Sequence, residues 1–280
     1  MLVGLIGEGI GASRTPRMHV EEGRRQGLVY DYRLIDTANG PPARFDALLS
    51  RLEREGYTGV NVTYPFKRAA VPYLHELSRN AEALGSVNTI VMRDGRRLGH
   101  NTDYWGFAES FRHGLPDVPR SAVLLLGAGG AGAAVAHALL DAGTGCLMIL
   151  DPDAGAAERL AVSLLARYGA GRAVVAQAVE AARDADGIVN ASPVGMAKLP
   201  GTPIPPELVE PRHWVADVVY FPLETPLLAI ARAKGCATLP GSGMAIFQAV
   251  RAFELFAGRP ADAKAMRATF ERFDEARGAT

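Results

Sequence analysis

The chain has 280 residues, enough for two domains that each bury a core of their own. Apolar residues make up 48% of the chain and charged residues 21%, which excludes intrinsic disorder and favours a globular protein. The formal net charge of +0 argues against nucleic acid or an anionic membrane as the partner and favours a small molecule.

The first hundred residues alternate strand-like and helix-like runs, which predicts an α/β domain with a mostly parallel sheet. Short apolar runs predict three strands, at Leu2 to Gly7, Tyr30 to Ile35 and Gly59 to Thr63. Apolar residues at helical spacing predict a helix from Ala43 to Glu55. Another helix is expected to start with the Thr15 hydroxyl as its N-cap and Pro16 in its first position.

A β-hairpin is predicted next, because Val87 to Met92 and Arg97 to His100 flank an Asp94-Gly95 turn. From Ser121 the alternation restarts more regularly and predicts a doubly wound domain. Its strands are predicted at residues 122–126, 146–150, 173–176, 187–190, 214–219 and 236–239. Two last helices, at about 242–258 and 261–277, have no strand after them and are expected to return to the first domain.

A glycine-rich turn follows the apolar run Ala122 to Leu126 and precedes a helical run. The spacing Gly127-x-Gly129-x-x-Gly132 at a strand-to-helix turn is typical of a dinucleotide site, with the pyrophosphate at the helix N-terminus. The alternative is plain packing of small residues between helix and strand. Asp151, after the next strand, favours the dinucleotide, because a carboxylate there can reach the adenosine ribose hydroxyls.

Polar residues at strand ends in the first domain are candidates for the chemistry. Lys67 follows the strand that ends at Thr63 and a turn at Pro65, which is where open α/β sheets bind ligands. Short polar side chains at Asn88-Thr89 and at Asn101 to Asp103 bracket the hairpin, where turn capping is the alternative role.

Sequence signals for secretion, a membrane span or a metal site are missing. Cys146 and Cys236 are far apart and each begins an apolar run, which predicts buried thiols rather than a disulfide framework. The scattered histidines and cysteines lack metal-ligand spacing, so we expect no metal. The apolar run Met1 to Ile6 is too short for a signal peptide, and we expect a cytoplasmic protein.

Eight short motifs follow one another along the chain. They are Ser13 to Pro16 before Met18-His19, Asn61 to Lys67 (NVTYPFK), Gly85 to Thr89 (GSVNT), His100 to Asp103 (HNTD), Gly127 to Gly132 (GAGGAG), Asn190 to Met196 (NASPVGM), Asp217 to Tyr220 (DVVY) and Gly243 to Ala249 (GMAIFQA). In this order they resemble the shikimate dehydrogenase family over nearly the whole chain. The resemblance implies an N-terminal α/β substrate domain plus a doubly wound Rossmann dinucleotide-binding domain.

The predicted boundary lies near residues 104–120, where Gly114 to Pro119 is the best turn signal. We expect residues 1–104 and 245–280 to form the substrate-binding catalytic domain and residues 105–244 to form the NAD(P)-binding domain.

The resemblance implies reversible hydride transfer between a nicotinamide dinucleotide and a ring hydroxyl of shikimate, in the pathway to aromatic amino acids. Lys67 and Asp103 are then the catalytic pair that takes and returns the hydroxyl proton. The implied substrate residues are Ser13 and Thr15 for the carboxylate, then Thr63, Lys67, Asn88, Asp103, Tyr220 and Gln248. The implied cofactor residues are Gly127, Ala128, Gly129, Gly130, Ala131, Asp151, Ala191, Val218, Gly241 and Met244.

Two departures from the family pattern bear on substrate and cofactor. Thr15 stands where many members have a second serine, and the quinate-accepting branch has the same Ser-x-Thr-Pro pattern, so we expect quinate as well as shikimate. Asp151-Pro152-Asp153 stands where NADP-dependent members have Asn-Arg-Thr. A carboxylate repels the 2′-phosphate, so we expect NAD to be preferred, while Arg159 nearby leaves NADP open.

Two other functions fit the same motifs. One is an aminoquinate or aminoshikimate dehydrogenase of a secondary pathway. The other is a non-catalytic metabolite sensor. A sensor is expected to lack the catalytic lysine or aspartate, and this chain has both, as Lys67 and Asp103. A monomer and a homodimer are both compatible with the sequence.

Overall fold

The computed structural model describes residues 1–38, 40 and 44–275. The chain divides into two compact units, one formed by residues 1–102 with the chain from Ile246 onward and the other by Asp103–Ala245. Within the described residues, each unit has one six-stranded sheet. The predicted fold class, two α/β units of which one is doubly wound, is confirmed.

The first unit has a mixed sheet with the strand order β2-β1-β3-β5-β6-β4. Strands β1, β2 and β3 are parallel, and β5 is antiparallel to both β3 and β6. The strands are β1 (Leu2–Gly7), β2 (Asp31–Asp36), β3 (Tyr57–Val62), β4 (Glu76–Leu77), β5 (Thr89–Arg93) and β6 (Arg96–His100). The helices are α1 (Thr15–Arg25), α2 (Phe45–Arg54), α3 (Phe66–Ala69) and α4 (Arg79–Leu84).

Apolar side chains from the sheet and its helices form the core of this unit. Ile6, Val60 and Ile90 from three neighbouring strands pack with Leu49 and Leu52 of α2, and all five are almost completely buried. Burial of such side chains contributes on the order of 2 kcal/mol each, which fixes β1 and β3 side by side. The polar residues that follow these strands are thereby brought to one edge of the sheet.

Several predicted boundaries in the first unit need correction. The Thr15 hydroxyl is not the N-cap of α1, because Arg14 takes that position with helical dihedral angles (φ −85°, ψ −14°) and Thr15 is the first helical residue. The second predicted strand is shifted by one residue, and the third is two residues longer at its start and ends at Val62. The helix predicted from Ala43 begins at Phe45, and Ala43 lies outside the described residues.

The second unit has a fully parallel sheet with the order β12-β11-β10-β7-β8-β9. Counted within the unit and read from β9, this is the order 3-2-1-4-5-6 of dinucleotide-binding sheets. The strands are β7 (Ala122–Leu126), β8 (Cys146–Leu150), β9 (Ala173–Val175), β10 (Gly187–Asn190), β11 (Trp214–Asp217) and β12 (Ala237–Leu239). The helices are α5 (Thr102–Gly114), whose first residue belongs to the first unit, α6 (Gly130–Asp141), α7 (Ala154–Tyr168) and α8 (Pro226–Ala233).

Two longer helices follow the second sheet. They are α9 (Ser242–Ala257) and α10 (Ala263–Glu275), and the predicted end of α10 at residues 276–277 lies outside the described residues. The strand predicted to reach residue 219 ends at Asp217, because the Asp217 carboxylate accepts the Val219 N–H over 3.0 Å and turns the chain. None of the helices in the described ranges is both long and apolar enough to cross a membrane.

Candidate active site

The glycine-rich turn lies between β7 and α6, next to the point where β7 separates β8 from β10. Gly127 has φ +104°, and a Cβ atom there would lie 2.8 Å from the Ala191 carbonyl carbon. A Cβ atom on Gly132 would lie 2.0 Å from the Gly127 carbonyl oxygen. Both positions therefore require glycine for reasons internal to the fold.

Gly129 and Gly130 differ from their neighbours, because a Cβ atom on either would meet no heavy atom of the protein within 4 Å. Gly129 is the N-cap of α6, and the first-turn amides of a helix have no intrahelical acceptors. The partial positive charge of a helix N-terminus favours an anion. An open cradle of this kind fits a dinucleotide pyrophosphate, with Gly129, Gly130 and Ala131 as the backbone that would hold it.

Asp151, the residue directly after β8, is tied into the same turn. Its Oδ2 accepts the Ala128 N–H over 2.7 Å, and its Oδ1 accepts the Asp153 N–H over 2.9 Å. Each carboxylate oxygen can accept a further hydrogen bond, so the side chain remains able to bind a hydroxyl. Asp153 Oδ2 pairs with Arg159 Nη2 over 3.2 Å, and both side chains are largely exposed. A second carboxylate thus lies beside Asp151 and engages the nearest arginine in sequence.

The loops after β10 and β11, which carry Ala191 and Val218, are joined by a buried hydrogen-bond network. Asn190 Nδ2 donates to Asp217 Oδ1 over 2.9 Å and to the Val194 carbonyl over 2.9 Å. Burial raises the pKa of Asp217 to about 6, although hydrogen bonds from Thr225, Val219 and Asn190 oppose the shift. Asn190 and Asp217 thereby fix both loops, and Val218 N–H also donates to the Asn190 carbonyl over 2.9 Å.

The remaining predicted residues of the second unit are Gly241, Met244, Tyr220 and Asp103. A Cβ atom on Gly241 would lie 2.4 Å from the Val218 carbonyl oxygen, so Gly241 allows the two backbone segments to approach. Met244, at the start of α9, is buried in the apolar core of this unit. Tyr220 is 41% exposed. Asp103 is half-buried in the first turn of α5.

In the first unit, Thr63 and Lys67 lie at the end of β3. The Thr63 N–H donates to the Ile6 carbonyl over 2.9 Å, and the Thr63 carbonyl accepts from Phe66 at the start of α3. Lys67 is half-buried, and its carbonyl accepts the Val87 N–H over 2.9 Å. These backbone bonds bring Lys67 next to the segment that carries Asn88.

The Asn88 carboxamide is buried and its orientation is determined by its neighbours. Its Oδ1 accepts the Thr102 N–H over 2.7 Å and the Thr89 hydroxyl over 3.1 Å. The oxygen is thus assigned to the protein interior, which leaves Nδ2 with two protons to donate. The Thr102 hydroxyl also lies 3.5 Å from Gln248 Oε1, so it connects Asn88 with Gln248 of α9.

A second layer of buried polar groups supports Asn88. Asn61 Nδ2 donates to the Asn88 carbonyl over 3.2 Å and to Thr89 Oγ1 over 2.9 Å, and the Tyr32 hydroxyl donates to Asn61 Oδ1 over 2.8 Å. Each of these polar atoms is satisfied, as burial requires. Asn61 belongs to the NVTYPFK motif, but the sequence did not predict its role. A polar residue on an otherwise apolar buried strand was the available signal.

Ser13 and Thr15 lie at the junction of the β1–α1 loop and α1. Ser13 Oγ accepts the Thr15 N–H over 3.4 Å, which links the loop to the first residue of α1. Both residues are half-buried. The loop is next to β3, because the Glu8 N–H donates to the Tyr64 carbonyl over 3.1 Å.

His19, from the first motif, is not a candidate acid or base. It is fully buried among Tyr30, Tyr32 and Phe253, and its Nδ1 lies 3.0 Å from the Tyr30 hydroxyl. Burial lowers the pKa of His19 to about 3. The imidazole is therefore neutral near pH 7 and serves the packing of α1.

Within the first unit, the structure therefore brings Thr63, Lys67, Asn88 and Gln248 together through shared strands and hydrogen bonds. Within the second, it gathers Ala128, Ala191 and Asp151 around the glycine-rich turn, and the Val218 N–H is bonded to Asn190, the residue before Ala191. Asn61, Asn190 and Asp217 are the supporting residues that sequence analysis missed, and all three are polar residues near the ends of buried strands.

Comparisons with known proteins show the family to which this chain belongs. The family model for the shikimate dehydrogenase substrate binding domain matches residues 5–90, and the model for the shikimate 5′-dehydrogenase C-terminal domain matches residues 241–269. A shikimate dehydrogenase (NADP(+)) of Streptomyces avermitilis is 53% identical over 95% of this chain and 94% of its own length. The chain belongs to the shikimate dehydrogenase family.

Other members of the shikimate dehydrogenase family differ in their named cofactor. A quinate/shikimate dehydrogenase (NAD(+)) of Corynebacterium efficiens is 47% identical over 96% of this chain and 97% of its own length. The solved structure of quinate dehydrogenase from Corynebacterium glutamicum in complex with NAD has a TM-score of 0.93 and 44% identity, covering 97% of this chain and 99% of that one. Family membership thus implies an NAD(P)-linked dehydrogenase, and the relatives divide on which dinucleotide is used.

Proposed function

We propose that this protein is an NAD-preferring dehydrogenase of quinate and shikimate, which oxidises a ring hydroxyl to a ketone and catalyses the reverse reduction. Residues 1–104 and 245–280 are assigned to substrate binding, and residues 105–244 to the dinucleotide. The bound dinucleotide supplies the hydride acceptor, and the chain supplies binding, orientation and proton transfer.

The preference for NAD rests on one observation, the pair of carboxylates after β8. Asp151 is held against Ala128 by a 2.7 Å hydrogen bond, and Asp153 neutralises Arg159. A 2′-phosphate at this position would meet negative charge, whereas ribose hydroxyls can donate to the Asp151 oxygens. Gly129 and Gly130 are assigned to the pyrophosphate, and Ala191, Val218, Gly241 and Met244 to the nicotinamide end.

Substrate binding is assigned to the side chains gathered in the first unit. Ser13 and Thr15 donate hydroxyl protons to the substrate carboxylate, and the methyl group of Thr15 shapes the pocket beside it. Asn88 presents Nδ2 to a ring hydroxyl because its oxygen is engaged by Thr102 and Thr89. Thr63, Gln248 and Tyr220 complete the assigned set.

Proton transfer is assigned to Lys67 with Asp103. Oxidation of an alcohol releases the hydroxyl proton as the hydride departs, and a lysine amine can accept that proton and return it during reduction. A carboxylate that hydrogen-bonds the lysine orients it. In this assignment Lys67 Nζ is the proton acceptor, and Asp103 also accepts a hydrogen bond from the substrate.

A four-way measurement of kcat/KM, with quinate and shikimate each paired with NAD and NADP, tests the proposal. We expect turnover of both acids and at least about tenfold higher kcat/KM with NAD, because like charges disfavour NADP. Higher kcat/KM with NADP would overturn the cofactor assignment. Turnover of an amino-substituted acid in place of both would favour the aminoquinate alternative, and binding without NADH formation would favour a sensor.

The Asp153→Ala variant tests the carboxylate argument directly. Removal of Asp153 leaves Arg159 without that ion pair and available to a 2′-phosphate, so the preference for NAD over NADP should narrow. The double variant Asp153→Ala/Arg159→Ala is the matched control. It lacks the arginine, so it should not show the increase in kcat/KM with NADP that is expected of Asp153→Ala. An unchanged cofactor ratio in both variants would contradict the role given to this pair.

A further inference from the structure

The β1–α1 loop, residues 8–14, carries Ser13 and is rich in glycine. Gly7, Gly9 and Gly11 alternate with other residues, and Gly9 adopts φ +65°. Glycine-rich backbone loses much conformational entropy when it is ordered. A loop of this composition needs contacts with the rest of the fold to present a side chain in one position.

Asp36, the last residue of β2, supplies such contacts. Its Oδ1 accepts the Gly9 N–H over 2.9 Å and the Ala38 N–H over 3.0 Å, and its Oδ2 accepts the Ile10 N–H over 3.1 Å. Hydrogen bonds to a carboxylate are stronger than those between neutral groups. These backbone N–H groups hold the pKa of Asp36 below its usual range, so the side chain is ionised near neutral pH.

Ile10 connects Asp36 with Ser13 through its backbone hydrogen bonds. The Ile10 N–H donates to Asp36, and the Ile10 carbonyl accepts the Ser13 N–H over 3.0 Å. Ser13 Oγ then accepts the Thr15 N–H at the start of α1. A continuous series of bonds therefore joins the Asp36 carboxylate to the hydroxyl assigned to the substrate carboxylate.

Other contacts fix the two ends of the loop, whereas in its middle the Ile10 side chain is buried and Asp36 accepts the Gly9 and Ile10 N–H groups. At the start, the Glu8 N–H donates to the Tyr64 carbonyl over 3.1 Å. At the end, the buried Arg14 side chain donates from Nη1 to the Phe270 carbonyl over 3.2 Å and lies over the Phe270 ring. Loss of the Asp36 carboxylate would therefore loosen residues 9–13 without detaching the loop.

We propose that Asp36 is a positioning residue for the substrate carboxylate, which acts by ordering the β1–α1 loop and thereby placing Ser13. The inference rests on the proposed function, because that function assigns Ser13 to the carboxylate. Asp36 does not belong to the proton-transfer pair, so its loss should weaken substrate binding and spare the chemical step. In a variant without the Asp36 carboxylate, part of the binding free energy of the substrate is used to order the loop, so the observed affinity falls.

The experiment compares Asp36→Asn and Asp36→Ala with Asp31→Asn. Asp31 is an exposed carboxylate on the same strand that pairs with Arg33, so it is the matched control. The Asn variant keeps one acceptor oxygen and the Ala variant keeps none, so KM for quinate and shikimate should rise about 3- to 10-fold in the first and further in the second. We expect kcat and KM for NAD to stay within about twofold of wild type.

Hydrogen exchange of a peptide that spans residues 8–14 gives a second readout that does not require turnover. Exchange should be faster in both Asp36 variants than in wild type and unchanged in Asp31→Asn. Wild-type KM or unchanged exchange in Asp36→Ala would overturn the inference, as would an equal loss in kcat. If the wild-type protein oxidises neither acid, the proposed function is overturned. The role of Asp36 in substrate binding is then overturned as well, whatever the exchange result.

Discussion

The two units build their parts of the candidate site from different materials. The second unit uses backbone, since the glycine-rich turn at Gly127 and the N-terminus of α6 present main-chain groups. The first unit uses side chains, since Asn88 and Lys67 depend on strands that are distant in sequence for their placement. A backbone site tolerates no added Cβ atom at its close contacts, whereas a side-chain site fails when a supporting hydrogen bond is removed.

The largest expected effect concerns the side-chain site at Lys67. Lys67→Met should lower kcat about 10²- to 10⁴-fold, because proton transfer loses its acceptor, and should leave quinate binding within a few-fold. Steady-state kinetics and calorimetric titration with quinate measure the two quantities. Arg68→Met, at the exposed neighbouring position of α3, should behave as wild type. Near-normal turnover of Lys67→Met would remove Lys67 from the mechanism.

The next effect tests a buried side-chain network inside the backbone-built unit. The pKa of Asp217 is raised to about 6 in the folded state, so the folded protein binds a proton more tightly than the unfolded chain does. The stabilisation from this group is therefore complete below about pH 4 and is lost as the pH rises through 6.

Urea unfolding of wild type and Asp217→Asn between pH 4 and 7 measures this dependence. The free energy of unfolding of wild type should fall relative to the variant by up to about 3 kcal/mol over this range. Asp184→Asn, at an exposed carboxylate of the same unit, is the control and should track wild type. A difference that stays constant with pH, or that rises, would contradict the raised pKa of Asp217.

Two glycine variants distinguish close packing within the fold, which requires Gly132, from space for the dinucleotide, which is assigned to Gly129. Gly132→Ala places a methyl group 2.0 Å from the Gly127 carbonyl oxygen and should cost about 1–3 kcal/mol of unfolding free energy, with loss of NAD binding. Gly129→Ala meets no protein atom within 4 Å and should keep its stability within about 1 kcal/mol while NAD binding weakens. Thermal unfolding with and without NAD tests both, and undiminished NAD affinity in Gly129→Ala would argue against pyrophosphate at this position.

The smallest expected effect concerns the second layer beneath Asn88. Asn61→Leu removes the acceptor of the Tyr32 hydroxyl and the donor to Thr89, so the Asn88 carboxamide loses its support. We expect kcat/KM to fall about tenfold, which corresponds to about 1.4 kcal/mol. Thr58→Val, at an exposed position of the same strand, should change it little. An unchanged kcat/KM in a folded Asn61→Leu protein would mean that Asn88 is oriented without this layer.

Local patterns sufficed for much of the fold. Apolar runs located β1, β7, β8 and β10 at their observed bounds, because buried strands of a parallel sheet consist of consecutive apolar residues. Boundaries failed where a side chain terminated an element, as Asp217 does by accepting the Val219 N–H. The N-cap predicted at Thr15 was wrong for a different reason, since the backbone of Arg14 already has helical dihedral angles.

The candidate site divides in the same way. The spacing of Gly127, Gly129 and Gly132 predicts the dinucleotide turn by itself, because those residues are neighbours in both sequence and space. The Asn88 network joins β2, β3, β5 and the start of α5, and no local pattern indicates that Tyr32, Asn61 and Thr102 share it.

Order along the chain therefore established the two-unit α/β plan, the dinucleotide turn and the identity of the polar residues that could do chemistry. The fold alone established that Asn88 turns its oxygen inward, that Asp153 engages Arg159 and that Asp36 anchors the loop of Ser13. The physical reason is the distance along the chain over which each interaction acts. Periodicity and turn chemistry act over a few residues, whereas hydrogen bonds that orient a side chain form between strands whose register is set by burial of the whole core.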